Sequence, residues 1–100
     1  MLFDITYETV TPESAEHGES ADSGFYMERI TLREAWEFLK WEGYCEASDS
    51  HIPAARWLTF YSEQSPMTGE HVNYSLHFPE KLSQHSRLRI ARLFGCYGVK

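Results

Sequence analysis

Cys45 and His51, with five residues between them, are the first pair in the chain whose types suggest chemistry. A thiol becomes a nucleophile when a neighbouring base or cation stabilises its thiolate, so a cysteine and a histidine together raise the possibility of thiol catalysis. Cys96 is the other thiol and stands far away in sequence. Neither cysteine belongs to a CxxC repeat, and no HxxxH spacing occurs, so the ligand patterns of zinc sites are missing. His71 and His77 fall on one face of a predicted strand, but six residues place them about 20 Å apart, too far to share an ion. No metal site is expected. There is also no glycine-rich phosphate loop, no nucleophile elbow and no SxxK, so neither a cofactor nor a catalytic residue is predicted. A small thiol enzyme or hydrolase stays open only through contacts that folding would have to make.

Charged and aromatic residues say more. Glu13, Glu16, Glu19 and Asp22 put an acid at every third position of PESAEHGESADSG. In a polyproline-like chain such acids would line one edge, roughly 9 Å apart, and could face a basic groove. Gly18 and the serines around it favour a solvated loop instead, and residues 11–24 are expected to be an acidic, mobile loop. In TLREAWEFLKWEG, Thr31 and Glu34 form a capping box, and Leu32, Ala35, Trp36 and Leu39 follow helical spacing. A helix over 31–42 that buries this stripe, closed by Gly43 in the left-handed region, leaves Phe38 and Trp41 in water beside Glu34 and Glu37. Two exposed aromatics with acids alongside resemble a docking patch for a basic partner. The same residues would also suit a homodimer contact or a wider core.

Arg87, Arg89 and Arg92 lie on the last helix, read as starting near Ser83 or Ser86 with Ile90, Leu93, Phe94 and Tyr97 inward and ending at Gly95 and Gly98. They could contact phosphates, which makes a nucleic-acid-binding protein the alternative reading. The net charge of −6 argues against general nucleic-acid affinity. That charge is uneven: residues 1–50 hold twelve acids against three Lys and Arg, and residues 51–100 hold three acids against six.

The elements that must position these residues follow from periodicity. LFDITYETV alternates as a half-buried strand. FYMERI reads as a short extended lead-in to the helix, and 44–55 as a loop. WLTFYSEQ and HVNYSLHF alternate on either side of SPMTG and predict a β-hairpin, with Val72, Tyr74, Leu76 and Phe78 inward and His71, Asn73, Ser75 and His77 outward. The order β-α-β-β-α predicts an α+β fold: a three-stranded, mostly antiparallel sheet with two helices packed on one face. One hundred residues, 42% of them hydrophobic, make a single domain spanning 1–100. No apolar run is long enough for a membrane span, the start has no basic region before an apolar run, and two cysteines make no disulfide framework, so a cytoplasmic protein with free thiols is expected.

The opening MLFDITYETVTPESAEHG and the stretch MTGEHVNYSLHFPEKLSQHSRLRIARL, with its Thr-Gly turn, SLHFP strand end and Ser-Arg-rich helix start, carry a resemblance across most of the chain. The chain resembles an uncharacterised family of small acidic proteins from bacterial mobile elements and prophages. That resemblance implies a bacterial or phage cytoplasm and a setting in which small acidic proteins bind and block host defence machines, such as RNA-guided nucleases or restriction enzymes. The expectation is therefore a non-enzymatic protein-binding module, an inhibitor or accessory factor that engages a basic surface of a host protein. Glu34, Glu37, Phe38 and Trp41 would form the patch, with Glu13, Glu16, Glu19 and Asp22 as a longer-range aid to association.

Overall fold

The alternation of LFDITYETV is realised at its start: Phe3 and Ile5 are buried and Asp4 and Thr6 are not, while Tyr7, expected inward with them, is only partly covered. In the computed structural model, which describes residues 1–96, this strand is β1 (Phe3–Val10). The elements that follow are α1 (Pro12–Glu16), β2 (Asp22–Ile30), α2 (Leu32–Leu39), β3 (Tyr44–Ala47), a 3₁₀ turn (Ile52–Ala54), β4 (Trp57–Tyr61), β5 (His71–His77) and α3 (Gln84–Leu93).

The sheet has five strands, in the order β2-β1-β5-β4-β3, and every pairing is antiparallel. The expected sheet of three strands is thus corrected to five, within the same α+β class. Of the two additional strands, β2 lacks a clean period of 2, while β3 alternates but is too short to stand out from the loop around it. β2 is an outer strand whose side chains are nearly all exposed, so no apolar face marks it. Its register with β1 also slips twice, once opposite Asp4 and once at Tyr26. At the first slip Arg29 adopts φ 54°, and its N–H donates to Asp4 Oδ1 at 2.9 Å. Such bulges twist an edge strand and break its alternation. β3 has only four residues and pairs with β4 alone.

Residues 11–24, expected as a loop, instead hold α1 and the start of β2. Thr11 and Ser14 supply a reciprocal capping box, with Ser14 N–H donating to Thr11 Oγ1 at 3.0 Å and Thr11 N–H to Ser14 Oγ at 2.8 Å. Pro12 suits the first helical turn because its missing N–H is not needed there. The connection to β2 is fastened by Ala21 N–H to the Thr9 carbonyl at 2.8 Å.

Helices α2 and α3 cover one face of the sheet. Ala35 and Leu39 of α2 and Ile90 and Ala91 of α3 join Phe3, Ile5, Leu58, Phe60 and Leu76 in a single core. The Phe94 ring lies 5.1 Å from Phe60 and 5.2 Å from Trp36, so the helices meet over the sheet. The Thr31 capping box forms as predicted. The helix ends at Lys40 in right-handed geometry, and Gly43 is not the left-handed cap. In α3 the inward residues are Ile90, Ala91 and Phe94, while Leu93 is half exposed; Gly95, at φ +67°, follows the helix. Tyr97 and Gly98 lie outside the described residues. The hairpin β4–β5 forms as predicted. Asn73 does project from the face away from the helices, yet it is buried there between neighbouring side chains. None of the described helices is long and apolar enough to cross a membrane.

Candidate functional site

β1, α1, β2 and α2 carry most of the acids and stand together at one side, with α2 packed against β1. α3, which carries three arginines, packs against the 3₁₀ turn and also meets α2, where the Phe94 and Trp36 rings lie 5.2 Å apart. The acids do not all play the part expected of them. Glu13 and Glu16 are exposed on α1, one helical turn apart, and Glu19 is exposed in the connection to β2. Asp22 opens β2 and accepts a hydrogen bond from the Tyr7 hydroxyl at 3.0 Å, which raises the Tyr7 pKa. Glu13, Glu16 and Asp22 are therefore anchored to a helix and a strand, and Glu19 alone stays in the connection between them. Glu8, a further acid of this side, accepts from Ser20 Oγ at 2.7 Å and from Asn73 Nδ2 at 3.1 Å.

On α2 the expected patch is rearranged. Phe38 is half-buried, not free in water: it stacks on Tyr26 at 4.9 Å and meets Tyr74 edge-on at 4.9 Å. Tyr26 meets Tyr74 at 5.2 Å, which closes a three-ring cluster. The reason is β2. The strand absent from the expected sheet carries Tyr26 at its bulge and widens the apolar arc around α2. Trp41 remains outside, 81% exposed. Lys40 Nζ lies 5.1 Å from its ring centroid and pairs with Glu37 Oε2 at 2.9 Å. Glu34 is committed to its own helix, where Thr31 N–H and Thr31 Oγ1 both donate to Oε1 at 3.0 Å. The backbone donor, then the hydroxyl, hold the Glu34 carboxyl below the usual carboxylate range. The hydrogen bond from Lys40 does the same for Glu37.

Two members of this surface escaped the sequence reading. Tyr26, half exposed, supplies the outer ring of the cluster. Glu42 lies near Tyr74, and burial raises its carboxyl pKa. The adjacent aromatics of FYMERI were the available signal. Their register at a bulge, which sends Phe25 and Tyr26 to different neighbours, was not.

The arginines of α3 diverge. Arg87 is half-buried beside a cavity between the end of the β4–β5 pair and the start of α3, and its Nη2 donates to the Glu80 carbonyl at 3.2 Å. Arg89 borders a different, apolar cavity with Phe3, Leu32, Leu82, Ile90 and Leu93. Arg92 is exposed. No single row of three arginines results.

The cysteines meet. Cys45 and Cys96 are both buried in the core. Contact with the Cys96 thiol, then burial, push the Cys45 thiol far above the ordinary range, which opposes nucleophilic chemistry. His51 is exposed outside that core. His77 Nε2 lies 2.7 Å from Thr6 Oγ1, and burial lowers its pKa against the opposing pull of Asp4. Among the described residues no three His, Cys, Asp or Glu side chains cluster as metal ligands. Compared with known proteins, the chain matches no family model, no curated protein and no solved structure.

Proposed function

We propose that the protein is a non-enzymatic binding module that engages a basic surface of another protein. Its docking surface is Trp41 together with the outer face of the Tyr26–Phe38–Tyr74 cluster, flanked by Glu37 and Glu42. One observation carries this reading. A tryptophan 81% exposed follows a helix whose neighbouring rings are already packed against the sheet, with Glu37, paired to Lys40, and Glu42 close by in the chain. Rigid aromatic groups anchor interfaces at low entropic cost, and the acids around them select a basic partner. Glu13, Glu16, Glu19 and Asp22 extend the negative field along α1 and β2 and speed encounter. The resemblance to small acidic proteins of mobile elements makes the partner a host protein with a basic nucleic-acid groove, such as a defence nuclease. Two free cysteines agree with a cytoplasmic setting.

The test is comparative capture from a bacterial lysate with wild-type protein and with the double variant Tyr26→Ala, Trp41→Ala, identity of the bound proteins being read by mass spectrometry. A basic protein retained by the wild type and lost with the variant, whose circular dichroism stays native, supports the reading. Retention of the same proteins by both refutes it. Sedimentation of the free protein as a dimer that the variant dissolves would assign the patch to self-association instead.

A further inference from the structure

At the end of the sheet where β4 and β5 pair, a cavity of about 460 Å³ opens toward the start of α3. It is lined by Arg56, Trp57, His77, Phe78, Glu80 and Arg87. All six come from the half of the chain in which cations outnumber acids. The cavity shares no residue with the proposed docking surface, although Asp4 of β1 is the cross-strand partner of its His77, and the inference drawn from it is independent of the function proposed above.

Its walls are fixed by the backbone. Ser48 Oγ accepts from Arg56 N–H at 2.8 Å and from Trp57 N–H at 3.2 Å, and the Arg56 carbonyl accepts from Phe78 N–H at 2.9 Å. Trp57 and His77 are cross-strand partners, with ring centroids 5.8 Å apart. The hydroxyl of Thr6 holds His77 from behind. Arg87 is anchored at one guanidinium nitrogen by the Glu80 carbonyl. Its Nε–H is buried and has no hydrogen-bond partner among the described residues. A buried donor without an acceptor is costly, and an anionic oxygen brought to it recovers that cost.

We propose that this cavity binds a nucleoside 5′-phosphate, with the phosphate between Arg56 and Arg87 and the base against the indole of Trp57. Two planar guanidinium groups recognise a phosphate through paired N–H donors. An indole face offers a base the stacking surface that single-stranded nucleic-acid sites use. The Glu80 carboxylate at the rim disfavours a bare anion. It suits a ligand that carries donors beside its charge, as a nucleoside does in its sugar hydroxyls and base N–H groups. A phenyl phosphate such as phosphotyrosine has no such donor on its ring. The volume lies within the roughly 300–1,000 Å³ of small-molecule sites. A free mononucleotide and the 5′-terminal nucleotide of a strand share this chemistry.

Calorimetric titration of the full chain with adenosine 5′-phosphate, adenosine, inorganic phosphate, phosphotyrosine and a short oligodeoxyadenylate, with and without its 5′-phosphate, tests the assignment. Saturable binding of the nucleotide, with adenosine and phosphate each about tenfold weaker or more, a loss of roughly 1.4 kcal/mol, is the expected result. Tighter binding of the phosphorylated oligonucleotide than of the free nucleotide assigns the site to strand ends; the reverse assigns it to free nucleotide. Arg87→Gln should abolish binding. Because Arg87 also ties α3 to Glu80, the exposed Arg56→Gln and Trp57→Leu serve as the second pair, each expected to weaken binding at least about fivefold. Absence of saturable binding by any phosphorylated adenosine ligand overturns the proposal. So does binding that both variants retain in full, or phosphate or phosphotyrosine binding as tightly as the nucleotide.

Discussion

The ring of Tyr26 stacks on that of Phe38, with centroids 4.9 Å apart and planes 27° apart. One residue sits at a bulge of an outer strand and the other on the helix that follows it, so the contact locks β2 to α2. Phe38 is packed and Trp41 is not, although both belong to the same amphipathic segment. Phe38→Ala is therefore expected to destabilise the fold by about 2–3 kcal/mol, below the roughly 3–5 kcal/mol of a fully buried aromatic because the ring is only half-buried, and Trp41→Ala by no more than about 0.5 kcal/mol. A double-mutant cycle of Tyr26→Ala with Phe38→Ala should give a coupling of about 0.5–1.5 kcal/mol. Urea unfolding measures all of these. A Trp41→Ala protein as destabilised as Phe38→Ala would mean that the indole is packed after all.

The same pair shows what the sequence discloses and what it hides. Phe3 and Ile5 against Asp4 and Thr6 announce β1, because a strand buried on one face must alternate. Thr31 and Glu34 announce the start of α2, because capping is local chemistry. β2 is silent for the opposite reason: its side chains are mostly exposed, and its two bulges shift the period at Arg29 and Tyr26. Once β2 is missed, the surroundings of Phe38 are wrong, and a helix face that is half covered reads as free. Arg87 is a second case. Helical spacing places it on α3, but only the tertiary path of Glu80 and Arg56 shows the cavity it serves. The meeting of Cys45 and Cys96 depends likewise on where α3 ends against β3.

Two glycines in left-handed geometry separate backbone strain from collision. Gly95 follows α3 at φ +67°, and a Cβ there meets nothing within 4 Å. Gly69, in the β4–β5 connection at φ +71°, would place a Cβ 2.8 Å from Pro12 Cγ. Gly95→Ala should cost about 1 kcal/mol, the strain of a left-handed alanine alone. Gly69→Ala should cost about 1–2 kcal/mol more, since it adds overpacking against a ring with little room to turn. Introducing Pro12→Ala beside Gly69→Ala should return part of that excess, as read from urea midpoints of the single and double variants.

His77 gives stability a pH dependence of definite sign. Burial disfavours its charged form, with Asp4 only partly offsetting this, so its folded pKa lies below the ordinary 6.5. The unfolded chain then takes up a proton more readily than the folded one. Its contribution to stability is complete above pH 6.5 and declines as the pH falls below that value toward the folded pKa. Urea midpoints should therefore fall between about pH 7.5 and pH 5.5, and should fall less in His77→Gln, whose neutral amide cannot charge. An unchanged slope in the variant would remove His77 as the source.

The paired thiols make the last prediction. Cys45 lies on β3 and Cys96 just past α3, and the two meet inside the core, where the Cys45 thiol is held protonated by its neighbour and by burial. A disulfide reagent needs a thiolate and a path to it. Cys45 is held protonated, whereas the hydrogen bond from Cys45 lowers the Cys96 pKa, so for Cys96 it is burial alone that closes the path while α3 stays docked. Reaction with Ellman's reagent should then be limited by opening of the α3 end. An opening of about 3 kcal/mol corresponds to about a hundredfold protection relative to an unfolded chain. Both thiols should react rapidly in denaturing urea. Rapid reaction of one thiol under native conditions would show that the C-terminal end of α3 lifts from β3 without unfolding the sheet, and the slower thiol would then identify which side of the contact stays closed.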